Sequence, residues 1–309
     1  MSLIKYIKIA RPNHWFKNIF IIPGTIFALL IFPNYSWLVV GKFIVGFFSV
    51  CLVASANYVI NEWLDADFDR HHPLKKDRPS VTGGIEAKYV YLEYLILIIL
   101  GLSLAALVSI YFLLTAVLLL VMGVIYNVKP LRTKDKLYVD VLSESINNPI
   151  RFALGWFIVT SSLLLPSSLL IAYWMAGAFL MAVKRYAEYR FINNKEIAGL
   201  YRRSFRFYNE NNLLVSILFY AMSFAFFFGV FMVKYRIELL LTLPLFSILF
   251  CWYLHLGMKA DSPAQRPEGL YKERAFSLYF ILVILVVVAL LFFHFPFLAY
   301  FLNKSFLLK

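Results

Sequence analysis

Apolar runs of about 20 residues, the length a helix needs to cross the hydrocarbon core of a bilayer, recur along the whole chain. Nine stretches qualify, at roughly 18–34, 40–60, 89–108, 110–127, 139–161, 167–190, 212–233, 238–258 and 275–296. Pro23-Gly24 interrupts the first and predicts a kink there. The fifth is unusually polar, holding Asp140, Glu144, Asn147, Asn148 and Arg151 with Pro149 among them. No small-residue cleavage site follows the first run, so it reads as a retained helix rather than a signal peptide. The pattern predicts an all-α polytopic membrane protein with nine spans, organised as one transmembrane domain over 1–309, without repeats or low-complexity segments.

Composition agrees. Hydrophobic residues make up 62% and charged residues 15% of the chain, against about 45–50% and 25% in soluble domains. That excludes a soluble enzyme, a secreted disulfide scaffold and a disordered chain. Cys51 and Cys251 both lie in apolar runs and read as packing residues. The net charge of +13 would suggest nucleic acid in a soluble protein. Here basic residues collect in loops on one side of a membrane instead, so the bilayer, not nucleic acid, is the partner. The N-terminus, 61–88, 128–138, 184–211 and 259–274 together carry 24 Lys and Arg, and the opposite side carries 5. The asymmetry predicts a cytoplasmic N-terminus and, after nine spans, an external C-terminus. The polar chemistry gathers on the cytoplasmic side.

The second span runs into Asn61-Glu62-Trp63-Leu64-Asp65-Ala66-Asp67-Phe68-Asp69-Arg70. Asn61, Asp65 and Asp69 are spaced i, i+4, i+8. If the helix continues, each step of four turns the face by only about 40°, and all three share one side. Like charges at that spacing repel, and a divalent cation removes the repulsion. Two carboxylates, an amide oxygen and substrate phosphates suit Mg²⁺, which keeps waters and rarely has an all-protein cage. A solvated acidic loop would show the same spacing. Lys75, Lys76 and Arg78 follow closely, placing bases for phosphate oxygens beside acids for a metal; the positive-inside bias alone would also place cations there. His71 and His72 read as solvated. Within the fifth span, Asp140, Glu144 and Arg151 lie on one broad face, and intramembrane charges default to functional or paired roles. The sixth span ends in Lys184-Arg185-Tyr186-Ala187-Glu188, with three bases to one acid by Arg190.

These residues carry a resemblance. Arg11-Pro12, Trp15, Lys17-Asn18, the Asn61, Asp65, Asp69 set, His72-Pro73 and Arg78-Pro79 resemble the UbiA-type intramembrane prenyltransferase superfamily. Lys184-Arg185-Tyr186-Ala187-Glu188 and Pro267-Glu268 ahead of Arg274 are similar to its decaprenyl-phosphate phosphoribosyltransferase branch. The resemblance implies a helical bundle around a polar cavity open to the cytoplasm. It implies transfer of 5-phosphoribose from phosphoribosyl diphosphate to a polyprenyl phosphate, in a bacterial-type inner (plasma) membrane, for building cell-envelope lipids. Mg²⁺ would sit on Asn61, Asp65 and Asp69. Lys17, Lys75, Arg78, Lys129, Arg151, Lys184, Arg185, Tyr186 and Glu188 would hold phosphates and substrate. A homo-oligomer is compatible with this reading. Glu62 departs from the superfamily, which usually has Asp there. Superfamily members that move a prenyl group to an aromatic acceptor use a second Asp-rich motif, and residues 184–191 hold a single acid in its place. Prenyl transfer therefore stands as the alternative, with a transporter or lipid-binding protein without catalysis behind it.

The charge asymmetry makes a direct prediction. A C-terminal reporter active only in the cytoplasm stays silent; a bright one means that the polar fifth span does not cross or that the span count is off by one.

Overall fold

The computed structural model describes residues 3–71, 75–163, 165, 167–265 and 267–298, together with Pro166. His72-Pro73, the side chains of Pro267 and Glu268, and the C-terminal Lys304 and Lys309 lie outside the described residues. The described chain is almost wholly helical and contains no strand. In chain order its α-helices are α1 (Leu3–Ala10), α2 (Ile22–Ile31), α3 (Trp37–Asp69), α4 (Pro79–Thr82), α5 (Ala87–Val108), α6 (Ile110–Asn127), α7 (Val139–Ser145), α8 (Asn147–Val159), α9 (Ser167–Ile192), α10 (Lys195–Tyr201), α11 (Glu210–Tyr235), α12 (Leu243–Met258) and α13 (Arg274–Phe292). Eight helical stretches are long and apolar enough to cross a membrane. They match eight of the nine runs. The fifth run is instead two short helices, α7 and α8, which meet at Ile146, so the external C-terminus predicted above requires these two together to make the ninth crossing. Its polar residues explain the difference, because buried side-chain hydrogen bonds, not lipid contact, stabilise it.

The chain forms two compact units. The first comprises residues 1–165 and 194–208, the second 166–193 and 209–309. In the first, the 3₁₀ segment Pro12–Ile21 and α2 pack against α8 through two glycines. A Cβ on Gly24 would meet the Phe152 carbonyl oxygen at 1.9 Å, and one on Gly155 would meet the Ile21 oxygen at 1.9 Å. Thr25 adds a hydrogen bond from its hydroxyl to the Gly155 carbonyl at 3.1 Å. Small residues that let helix backbones approach are the usual means of helix association in lipid, where burial between apolar helices gains little. The core around this contact is apolar: Ile21, Ala28, Val50, Phe112, Leu154 and Trp156 are fully buried.

The N-terminal motif residues are structural ties to α3. Arg11 donates to Glu62 through Nε at 3.0 Å and Nη2 at 2.6 Å. Trp15 Nε1 donates to Ser55 Oγ at 2.9 Å, and Asn18 Nδ2 to Cys51 Sγ at 3.3 Å. Glu62 is buried and also accepts from Ser80. The longer Glu in place of Asp thus joins three separate stretches of chain.

In the second unit α9 packs along α11, with Phe179 and Phe224 stacked on Phe250 at 4.2 and 4.7 Å between ring centres. The outer face of α11 exposes Val215, Phe219, Met222, Phe226 and Val233. Steps of three, four and seven put them on one stripe. An apolar stripe of that size marks a lipid-facing surface rather than a solvated one.

Gly155→Ala must push two backbones apart, so it lowers thermal stability in detergent by at least the 1–3 kcal/mol that overpacking typically costs, ~2 kcal/mol or more. Gly229→Ala in α11 meets nothing within 4 Å and leaves stability unchanged or slightly raised. Equal effects at the two positions would rule out the close α2–α8 contact.

Candidate functional site

Helix α3 runs without a break to Asp69, so Asn61, Asp65 and Asp69 do share one face. All three line a polar cavity within the first unit. The opposite walls come from the end of α6 (Tyr126), the loop 128–138 (Arg132, Lys134 and Asp135), Glu144 of α7, Lys75 and Arg78 beyond α3, and the turn Tyr201-Arg202-Arg203 after α10. The loop after α6 folds back over α3 because Arg132 Nη1 donates to the Asn127 carbonyl at 2.9 Å. Helix α10, which leads into the Tyr201-Arg202-Arg203 turn, starts at an Asn194 N-cap that accepts from the Glu196 and Ile197 amides at 3.0 Å.

Each carboxylate is matched by cations. Asp65 Oδ1 accepts from Arg132 Nη2 at 2.9 Å and pairs with Lys134; its Oδ2 accepts from Asn61 Nδ2 at 3.3 Å. Asp69 pairs with Arg78. Arg132 and Arg203 both place their guanidinium carbons over the Phe68 ring, at 4.9 and 5.1 Å, and both reach Asp135. Asn127 is a buried hub: its Oδ1 accepts from Asn61 and from Lys134 Nζ at 2.7 Å, and its Nδ2 donates to the Gly123 carbonyl at 2.9 Å. Lys134 is only 4% exposed. Burial pushes its ammonium down to about 8, with Asp65 acting in the opposite direction. Lining residues amount to six cations (Lys75, Arg78, Arg132, Lys134, Arg202, Arg203) and four acids (Asp65, Asp69, Asp135, Glu144), a formal excess of two positive charges.

The other expected site residues fall elsewhere. Lys17, Lys129 and Arg151 lie outside that lining. Lys17 contacts His14 at 3.4 Å, Lys129 is exposed, and Arg151 Nε donates to Asn18 Oδ1 at 3.0 Å while Nη1 reaches the Asn147 carbonyl. Arg151 therefore holds the Pro12–Ile21 segment. Lys184, Arg185, Tyr186 and Glu188 sit on α9 in the second unit. Arg185 is 1% exposed and donates to Glu188 at 3.0 Å; Arg190 stacks over Tyr186 at 5.6 Å. Arg132, Lys134, Arg202, Arg203 and Asn127 enter the site without having been singled out. In the sequence they are loop cations and a helix-end amide. The one available signal was the Tyr126-Asn127 pair followed by alternating cations at Arg132 and Lys134.

As a metal site the cavity offers hard oxygens and little else. Among the described residues no three His, Cys, Asp or Glu side chains gather as a self-sufficient cage. Asp65, Asp69 and Asn61 on one helix face are the donor set of an ion that completes its shell with water and substrate phosphate, as Mg²⁺ does. The residues fit Mg²⁺ on those terms.

Comparison with known proteins gives the family and the fold. The UbiA prenyltransferase family matches residues 20–270. A decaprenyl-phosphate phosphoribosyltransferase of Mycolicibacterium smegmatis is 31% identical over 186 residues, covering 59% of this chain and 56% of that one. A protoheme IX farnesyltransferase of Geobacillus thermodenitrificans is 31% identical over 152 residues, 46% of this chain and 47% of its own. The chain thus spans about half the length of these relatives. A UbiA homolog from Archaeoglobus fulgidus, solved bound to GPP and Mg²⁺, shares the fold with a TM-score of 0.68 at 22% identity, over 93% of this chain and 99% of that one. The chain belongs to the UbiA prenyltransferase family.

Asn127→Ala leaves the Asn61 and Lys134 donors without their shared acceptor. It costs about 1–3 kcal/mol of stability, the penalty for stranding buried polar groups, read as a lowered midpoint of thermal unfolding. An unchanged midpoint would mean that this hub holds nothing in place.

Proposed function

We propose that this chain is a Mg²⁺-dependent intramembrane transferase that moves 5-phosphoribose from phosphoribosyl diphosphate to a polyprenyl phosphate and releases diphosphate. The observation that carries the reading is the cavity's charge arrangement: two carboxylates and an amide on one face of α3, ringed by a surplus of cations. A metal alone needs no such ring, and a neutral acceptor would not use it. Two phosphorylated substrates would. The single acid among Lys184-Arg185-Tyr186-Ala187-Glu188, already bonded to Arg185, supports this over prenyl transfer through a second acidic metal centre. The relative from Mycolicibacterium smegmatis points the same way.

The chemistry is displacement at the anomeric carbon of ribose. The bond from that carbon to the diphosphate oxygen breaks, a bond to a phosphate oxygen of the lipid forms, and positive charge develops on the sugar in between, as in glycosyl transfer generally. Asp65, Asp69 and Asn61 would hold Mg²⁺, which supplies charge neutralisation for the departing diphosphate. Arg78, Arg132 and Lys134 would take up its oxygens as charge-assisted donors. The nucleophile is already an anion, so the chain need provide no strong general base. Before substrate enters, the same cations neutralise Asp65 and Asp69 and keep the site assembled. The cavity loops belong to the segments richest in Lys and Arg, which supports a site on the cytoplasmic face with the polyprenyl tail in the bilayer.

The direct test supplies purified protein and Mg²⁺ with ribose-labelled phosphoribosyl diphosphate and polyprenyl phosphate. Mass spectrometry should find a lipid carrying phosphoribose. Transfer of a prenyl chain from a prenyl diphosphate to an aromatic acid would instead establish the alternative. Asp65→Asn and Asp69→Asn each reduce turnover more than about tenfold, the loss that ~1.4 kcal/mol of barrier represents, with folding preserved. Retention of most Mg²⁺-dependent activity would remove these carboxylates from the metal site.

A further inference from the structure

Asp140 stands in the first turn of α7 and is 0% exposed. Its Oδ1 accepts from the Tyr208 hydroxyl at 2.8 Å and its Oδ2 from Ser204 Oγ at 3.2 Å, while Arg202 Nη1 lies 3.7 Å from Oδ2. A buried carboxylate persists only where donors and a counter-charge satisfy it. Here all three come from one stretch, residues 202–208. The same stretch begins at the cavity wall. Arg202 Nη1 also donates to the Tyr126 hydroxyl at 3.3 Å, and Tyr126 donates to Glu144 at 2.7 Å. Arg203 is 44% exposed, with its guanidinium over the Phe68 ring and 3.6 Å from Asp135. Lys75 bonds the Tyr201 hydroxyl and sits 4.4 Å from that ring's centre. Lys75, Arg202 and Arg203 all line the cavity, and the stretch that carries the two arginines is bonded to a carboxylate that does not itself line it.

We propose that Asp140 is a positioning residue that pins the 202–208 stretch, and that Lys75, Arg202 and Arg203 thereby form a binding site for a phosphate monoester beside the Asp65 and Asp69 centre. The inference deepens the function proposed above, and rests on it, by locating the second phosphate. A guanidinium pair with an ammonium is the donor set that a dianionic monoester accepts best. A monoester reaches the cavity from either of two sources, the 5-phosphate of a sugar or the headgroup of a lipid phosphate.

The test is equilibrium binding to the full chain in nanodiscs, without turnover, using three probes separately: ribose 5-phosphate, a short polyprenyl phosphate, and inorganic diphosphate with Mg²⁺. Asp140→Asn, Tyr208→Phe and Arg203→Gln should weaken one of the two monoesters, the first and last by about tenfold, which is what one lost charge-assisted contact is worth. Which monoester weakens names the source. Diphosphate with Mg²⁺ should change less than about twofold. On an Arg202→Gln, Arg203→Gln background, Asp140→Asn should add nothing further, because a residue that acts through others is silent once they are gone. A purely structural Asp140 would add its full effect there. Unchanged affinity for both monoesters, or an equal loss for all three probes, overturns the proposal. Tyr208→Phe and Arg203→Gln keep the test open if Asp140→Asn fails to fold. Failure of the metal reading is visible separately, as diphosphate binding that survives Asp65→Asn.

Discussion

Charge at the edge of a bilayer persists only where it is paired, and the first unit is arranged around that constraint. Asp65 and Asp69 extend from the last turns of a 33-residue helix whose earlier part is apolar. Two like charges there, with water scarce, would unwind the helix end or drag it outward. Arg78, Arg132 and Lys134 prevent this by folding back onto α3 from two different loops. The loop that carries Arg132 and Lys134 is fixed in turn, by Asn127 at its start and at its end by Tyr208, whose hydroxyl accepts from the Tyr138 amide and donates to Asp140. Removing one partner of such a buried pair leaves the other charge stranded, which costs far more than the pair itself contributes. The cavity is therefore kept assembled by ion pairs between its own walls, and under the proposed function a metal with phosphate would replace those pairings rather than fill neutral space.

The scaffold beneath uses different physics. Lipid provides no hydrophobic driving force between helices, so α2 and α8 associate through backbone contact at Gly24 and Gly155 and a threonine hydrogen bond. Arg11, Trp15 and Asn18 add polar ties from the N-terminal segment to α3. Residues that resemble family motifs thus divide into two groups by what they touch. Asn61, Asp65, Asp69 and Arg78 face the cavity; Arg11, Trp15 and Asn18 tie the N-terminal segment to α3.

Most of the architecture was legible because hydropathy is a property of each residue on its own. Eight apolar runs became eight long helices. The fifth run differed because its fate depends on partners: Asp140 is buried against Tyr208 and Ser204, contacts between residues more than 60 positions apart that no local pattern encodes. The acid half of the site was visible in the i, i+4, i+8 spacing, a helix rule. The basic half was visible only in part: Lys75 and Arg78, which follow the acids closely in sequence, do line the cavity, and the rest was not. Arg132, Lys134, Arg202 and Arg203 were counted among the cytoplasmic charges, and composition cannot separate a solvated cation from one that folds back onto a carboxylate. Lys17 and Arg151 are not in the cavity lining; Lys17 contacts His14, and Arg151 bonds Asn18 and the Asn147 carbonyl, contacts that their own positions in sequence do not encode.

The central claim is that this cavity binds metal and diphosphate together, not metal alone. Manganese is a spectroscopic substitute for Mg²⁺, and electron paramagnetic resonance titration measures its free and bound populations directly. The account predicts weak Mn²⁺ binding to the protein alone, at least about tenfold tighter binding once inorganic diphosphate is added, and loss of that gain in Asp65→Asn. Equal Mn²⁺ affinity with and without diphosphate, or a gain that survives Asp65→Asn, would contradict it.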